Sequence, residues 1–130
     1  MENKELVKLA KQAQEKSYSP YSHYSVGCAI ELSDGTVLTG CNVENIAYGP
    51  SNCAERTAIF KGVSEGRKDF KKFAVIGDGT SVCYPCGVCR QVIMEFAPNA
   101  IVVCAKNEDE FEEHTISELL PYAFSPESLK

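Results

Sequence analysis

VCYPCGVCRQ, residues 82–91, sets Cys83, Cys86 and Cys89 at a strict spacing of three, with Pro85 directly before Cys86. Three thiols so spaced suit an iron–sulfur cradle, a zinc knuckle, or two ligands beside a bystander. Val88, Val92, Ile93 and Phe96 then fall on one helical face, which predicts a helix over about 86–96, with Cys86 at its start and Cys89 one turn in. Both lie where backbone N–H groups and the helix dipole favour a thiolate. A bacterial iron–sulfur cradle wants a fourth cysteine soon after Cys89, followed by proline, and Arg90-Gln91-Val92 does not supply it. Cys83, ahead of Pro85, is expected to point elsewhere.

Upstream, SNCAERTAIF offers a second helix, about 52–65, in which Ser51 or Asn52 can cap and Cys53 occupies the first turn. Strands are expected at 72–77 and 100–105, and runs 24–32 and 36–43 flank Ser33-Asp34-Gly35, a strong hairpin signal. A first helix spans roughly 3–16, where Leu6, Leu9, Ala10 and Ala13 recur at helical spacing, and a short one lies around Glu118–Leu120. The order implies an α/β fold: a mixed sheet opening on an antiparallel hairpin, with right-handed crossovers and helices on both faces. One domain over residues 1–130 is expected, because 44% hydrophobic content in that length suits a single core.

Cys53, Cys86 and Cys89 thus sit at two helix N-termini fed by one sheet, where they can converge on a tetrahedral metal and leave its fourth position to water. That is an open zinc site. A closed structural zinc needs a fourth ligand, and Cys83, His23 and His114 stand at no knuckle-like spacing from Cys53. Glu55, two residues beyond Cys53, is placed to move protons beside a metal, although a first-turn glutamate is also favourable at any helix N-terminus. Cys28, Cys41, Cys83 and Cys104 are read as core or surface thiols. Asn42 and Glu44, two apart on an extended run, face one side, where an amide and a carboxylate together can hold a sugar hydroxyl.

Seven cysteines, an odd number, in a chain with a charged N-terminal segment fit reduced thiols and metal ligands better than a disulfide framework. No apolar run is long enough to cross a bilayer, so a soluble, cytoplasmic protein without a membrane partner is expected. The net charge of -5 argues against nucleic acid as a partner and for a small neutral ligand.

Through Cys53-Ala54-Glu55-Arg56-Thr57-Ala58 and Pro85-Cys86-Gly87-Val88-Cys89-Arg90-Gln91, the sequence resembles the small homotetrameric cytidine deaminases. Gly40-Cys41-Asn42-Val43-Glu44-Asn45, Ala47-Tyr48-Gly49, Leu119-Leu120-Pro121 and Phe124-Ser125-Pro126 extend the likeness over nearly the whole chain. The resemblance implies the three-layer α/β/α fold of that family. It further implies that Cys53, Cys86 and Cys89 bind one Zn²⁺ per chain, and that Glu55 carries a proton to N3 of cytosine and then to the departing amino group. Three thiolates give a zinc core a formal charge of about -1, and Arg56 is implied to offset it through hydrogen bonds to ligand sulfurs.

By the same resemblance Asn42 and Glu44 hold the ribose, Ala54 offers backbone groups to the base edge, and Tyr24 stands where a phenylalanine is common against the pyrimidine. Phe124 reaches a neighbouring subunit's site, with Tyr48 contributing to the same region of a homotetramer. Cytidine and deoxycytidine are the implied substrates, in pyrimidine salvage. The sequence departs from the family at Tyr24 and at Cys83-Tyr84. Two other readings stand beside this one: a deaminase of a nucleoside analogue such as blasticidin S, and a structural zinc or redox module.

Overall fold

Strand Gly27–Leu32 (β1) is buried along its whole length, and its alternation sets the layers. Cys28, Ile30 and Leu32 pack to one side and Ala29 to the other. In the computed structural model, which describes residues 1–129, β1 is the second strand of a five-stranded sheet. The other strands are Val37–Cys41 (β2), Phe70–Ile76 (β3), Ile101–Ala105 (β4) and Phe111–Thr115 (β5), in the order β2-β1-β3-β4-β5. β1 runs antiparallel to β2 and β3, β3 parallel to β4, and β4 antiparallel to β5. The sheet is therefore mixed and opens on the expected hairpin, whose turn places Gly35 at φ 87°.

Helix Asn3–Gln14 (α1) covers the Ala29 face, its fully buried Leu6, Val7 and Ala10 meeting Ala74, Val103 and Ala105. The alanines keep that face shallow enough for a helix to seat closely. Helices Ala54–Ser64 (α2), Gly87–Phe96 (α3) and Ile116–Leu119 (α4) belong to the other face, over a larger core that includes Ile59, Phe73, Ile93 and Ile116. Each such side chain, fully withdrawn from water, contributes about 1.5–3 kcal/mol. At Gly40 on β2, an added Cβ would stand 2.6 Å from the Ala54 carbonyl oxygen and 2.7 Å from the Ala58 nitrogen. The start of α2, where Cys53 lies, is thereby pressed against the sheet.

β5 was not expected. FEEHT carries no apolar alternation, because as an edge strand it leaves glutamates exposed, and its place comes from pairing with β4. Asn107 shapes the turn before it, its Oδ1 accepting from the N–H groups of Asp109 (2.8 Å) and Glu110 (2.9 Å). α4 starts two residues earlier than expected because Thr115 and Glu118 form a reciprocal capping box.

Candidate active site

Cys53 and Cys86 occupy the positions immediately before α2 and α3, both with extended backbone, and Cys89 lies in the first turn of α3. Ser51 and Asn52 do not cap α2 as the sequence suggested. Asn52 is bridged to Val43 through both backbone bonds (3.0 and 2.8 Å), and Ser51 Oγ accepts from Asn45 N–H at 2.9 Å, so the cap position falls on Cys53. Neither Cys53 nor Cys86 makes a side-chain cap hydrogen bond. The three sulfurs lie within 4.8 Å of one another, with Cys53 and Cys86 at 3.7 Å. Tetrahedral zinc with Zn–S bonds of about 2.3 Å sets sulfurs about 3.8 Å apart, so this donor set fits the ion in chemistry and in spacing.

Arg56 Nη2 donates to Cys53 Sγ at 3.2 Å. Hydrogen bonding from Cys89, then from Arg56 and Cys86, holds the Cys53 thiol down at about 5 against the opposing effect of burial. Cys89, the donor in that pair, is pushed up, first by the same bond and then by burial. Glu55 is 3% exposed, and burial raises its carboxyl to about 7, with the nearby Cys53 charge adding to the rise.

Cys53, Cys86, Glu55 and Arg56 border a cleft of about 570 Å³, a size suited to a small molecule, while Cys89 is fully buried. Tyr24, Asn42, Glu44, Tyr48 and Ala54 line it together with Glu55, Arg56, Cys53 and Cys86. Phe124 does not: it is 60% exposed, its carbonyl accepting from Gln91 Nε2 at 2.6 Å. β2 ends at Cys41, so Asn42 and Glu44 share a loop junction rather than a strand face. Asn42 Oδ1 accepts from Val26 N–H (2.9 Å) and Ser17 Oγ (2.5 Å), and its Nδ2 donates to Tyr24 O at 2.8 Å. Glu44 Oε1 accepts from the N–H groups of Tyr21 (3.0 Å) and Ser22 (3.1 Å), while Oε2 accepts from Ser22 Oγ. These bonds hold Glu44 below the usual carboxylate value.

Several contributors escaped the sequence. Ser19-Pro20-Tyr21-Ser22 reads only as a stop to the first helix, yet Glu44 latches its Tyr21 and Ser22, and Asn42 latches the flanking Ser17 and Val26. Arg90 ties the approach to α3 to the end of α4, its Nε donating to Pro85 O (2.7 Å) and its Nη1 to Leu119 O (2.8 Å). Its signal was its place directly after Cys89. Cys83 stays out of the sulfur cluster, as expected, but it lines the cleft at 6% exposure beside Val82 and Tyr84. The other thiols divide as read: Cys28 and Cys104 are fully buried, and Cys41 is partly exposed.

The sequence model of the cytidine and deoxycytidylate deaminase zinc-binding region matches residues 1–105. A cytidine deaminase of Sporosarcina psychrophila is 48% identical over 99% of this chain and 96% of its own length. One from Halalkalibacterium halodurans is 47% identical, over 99% and 98%. The crystal structure of cytidine deaminase from Burkholderia pseudomallei superposes with a TM-score of 0.90 at 43% identity, covering 95% of this chain and all of that one. Because the family model covers residues 1–105, the relatives match along nearly the full length and the fold agrees, this chain belongs to the cytidine and deoxycytidylate deaminase family, enzymes of zinc-dependent hydrolytic deamination.

Proposed function

We propose that this protein hydrolyses cytidine and deoxycytidine to uridine and deoxyuridine with release of ammonia, serving pyrimidine salvage. The observation that carries the reading is a buried carboxyl, Glu55, beside three converging thiols at a cleft with a polar latch on one wall.

Cys53, Cys86 and Cys89 would hold one zinc ion. Bound there, zinc supplies the acidity that brings water to the nucleophilic state near neutral pH. The chain's own groups do the rest. Glu55 takes a proton as water adds at C4 and passes it to N3. It then takes the second proton from the new C4 hydroxyl and hands it to the amino nitrogen, which leaves as ammonia while the C4 carbonyl forms, so one carboxyl serves both halves of the exchange. Its burial keeps bulk water from competing for those protons. Arg56, already bonded to Cys53, offsets charge on the ligand sulfurs.

Glu44 and the free N–H of Asn42 Nδ2 take the sugar hydroxyls, chiefly the 3′ group, so ribose and deoxyribose both fit. Ala54 meets the base edge through its backbone, and Tyr24 forms a wall against the ring. Tyr48 and Phe124, 73% and 60% exposed, are apolar groups left facing outward, which supports a homotetramer in which Phe124 closes a neighbour's cleft. Among the described residues no helix is long and apolar enough to cross a membrane, consistent with a cytoplasmic nucleoside enzyme. Residues 1–130 act as one domain in this reading.

The test is conversion of cytidine by zinc-loaded protein, followed by ultraviolet absorbance and ammonia release, with blasticidin S as competitor. Conversion with weak competition is expected. Turnover of blasticidin S in preference to cytidine would move the substrate to the analogue, and zinc bound without any turnover would favour a structural site.

A further inference from the structure

Tyr24 is held at both ends. Its N–H donates to Ser22 Oγ at 3.0 Å and its carbonyl accepts from Asn42 Nδ2 at 2.8 Å, which fixes the backbone. Its phenol tip lies against Gly77, just past the end of β3. A Cβ there would stand 2.1 Å from the Tyr24 hydroxyl and 2.8 Å from Cζ, so no other residue type leaves that slot open. Gln14 Nε2 braces the slot, donating to Gly77 O and, at 2.9 Å, to Ser25 O. Cys83, 6% exposed, closes it: the thiol is an electrostatic neighbour of the Tyr24 hydroxyl, and its own N–H donates to Ala105 O at 3.1 Å at the end of β4. Both Tyr24 and Cys83 line the cleft that holds Glu55.

We propose that Gly77 and Cys83 are positioning residues for the base. Gly77 opens the slot, Cys83 keeps the hydroxyl in it, and the Tyr24 ring therefore stands as a fixed wall rather than a mobile one. The proposal rests on the nucleoside reading above. It gives a tyrosine at this position a use for its hydroxyl and gives Cys83, which binds no metal in that reading, a task.

Steady-state kinetics with cytidine and ¹³Cζ-tyrosine NMR on the zinc-loaded protein test it together. Cys83→Ala is expected to raise KM about three- to tenfold, the worth of one polar contact, with kcat nearly unchanged. Cys83→Ser restores KM, and in a Tyr24→Phe background Cys83→Ala adds nothing. Gly77→Ala raises KM by roughly tenfold or more, because the ring must move into the cleft, and Tyr24→Phe recovers part of that loss. If Gly77→Ala does not fold, the Cys83 series decides alone. Additive effects of Tyr24→Phe and Cys83→Ala, or a fall in kcat with KM unmoved, would overturn the assignment. So would a Tyr24 resonance that Cys83→Ala leaves in place. A resonance that moves in a protein unable to convert cytidine would overturn the substrate reading, and the positioning role with it, while leaving the contact itself established.

Discussion

The two walls of the cleft are built on opposite principles. On the side proposed for the sugar, Asn42 and Glu44 are hydrogen-bonded to residues 17–26 through nearly every polar atom they own, leaving one Asn42 N–H and the outer lone pairs of Glu44. On the chemical side, like groups are crowded: three sulfurs within 4.8 Å, a buried carboxyl, and an Arg56 Nε that is buried without a hydrogen-bond partner. The first wall is complete in the chain alone. The second reaches its working state only when a cation relieves the crowding.

The largest effect that sharpens this contrast comes from removing a ligand. Cys86 is exposed, so Cys86→Ala leaves the core intact but should take bound zinc from about one per chain to near none and turnover to background. Metal analysis beside circular dichroism checks it, and full zinc occupancy in that variant would remove Cys86 from the site. Next is Glu55→Gln, which keeps the shape and the sulfurs. Zinc content should hold while kcat falls by about 10² to 10⁴. Activity within a few-fold of the parent would assign the proton transfers to another group.

The chemical wall was also the more legible one. Three cysteines and a glutamate at helix starts are a local pattern, since spacing along a helix N-terminus fixes where the groups emerge. The latch wall is long-range: the Asp34-Gly35 signal announces that β1 and β2 pair, but no spacing in the sequence brings Ser17 and Ser22 onto Asn42 and Glu44. The sheet divided in the same way. Its apolar strands read at once, whereas β5, an acidic edge strand, depends on β4 for its existence. Gly77 was invisible for a related reason, because its importance is the room it leaves for a ring that lies far away in sequence.

A smaller effect should follow from breaking the latch. Glu44→Gln keeps the volume but replaces an acceptor of three hydrogen bonds by a group that can accept at only one atom. The loss should appear in KM for cytidine, with kcat/KM down by roughly 10- to 100-fold, the range for hydrogen bonds to a charged group. A fall in kcat with KM unchanged would put Glu44 on the chemical side and erase the contrast between the walls.

The smallest effect is a pH signature of the same latch. Donors from Tyr21 and Ser22 favour the ionised Glu44, so its folded pKa lies below the ordinary 4.5. A depressed carboxylate contributes stability that is present above the unfolded value and is lost as pH falls through the folded one. The stability difference between the parent and Glu44→Gln should therefore be constant above about pH 5 and shrink as the pH drops below 4.5. Taking the difference between the two proteins cancels the acid protonation of the ligand thiols, which both share. Because the residue is only partly buried in the cleft lining, the change should be modest and weaken further in salt. Thermal unfolding across that acid range decides the matter: a difference that never narrows would mean that Glu44 holds the loop through shape alone, and the sugar wall would owe nothing to charge.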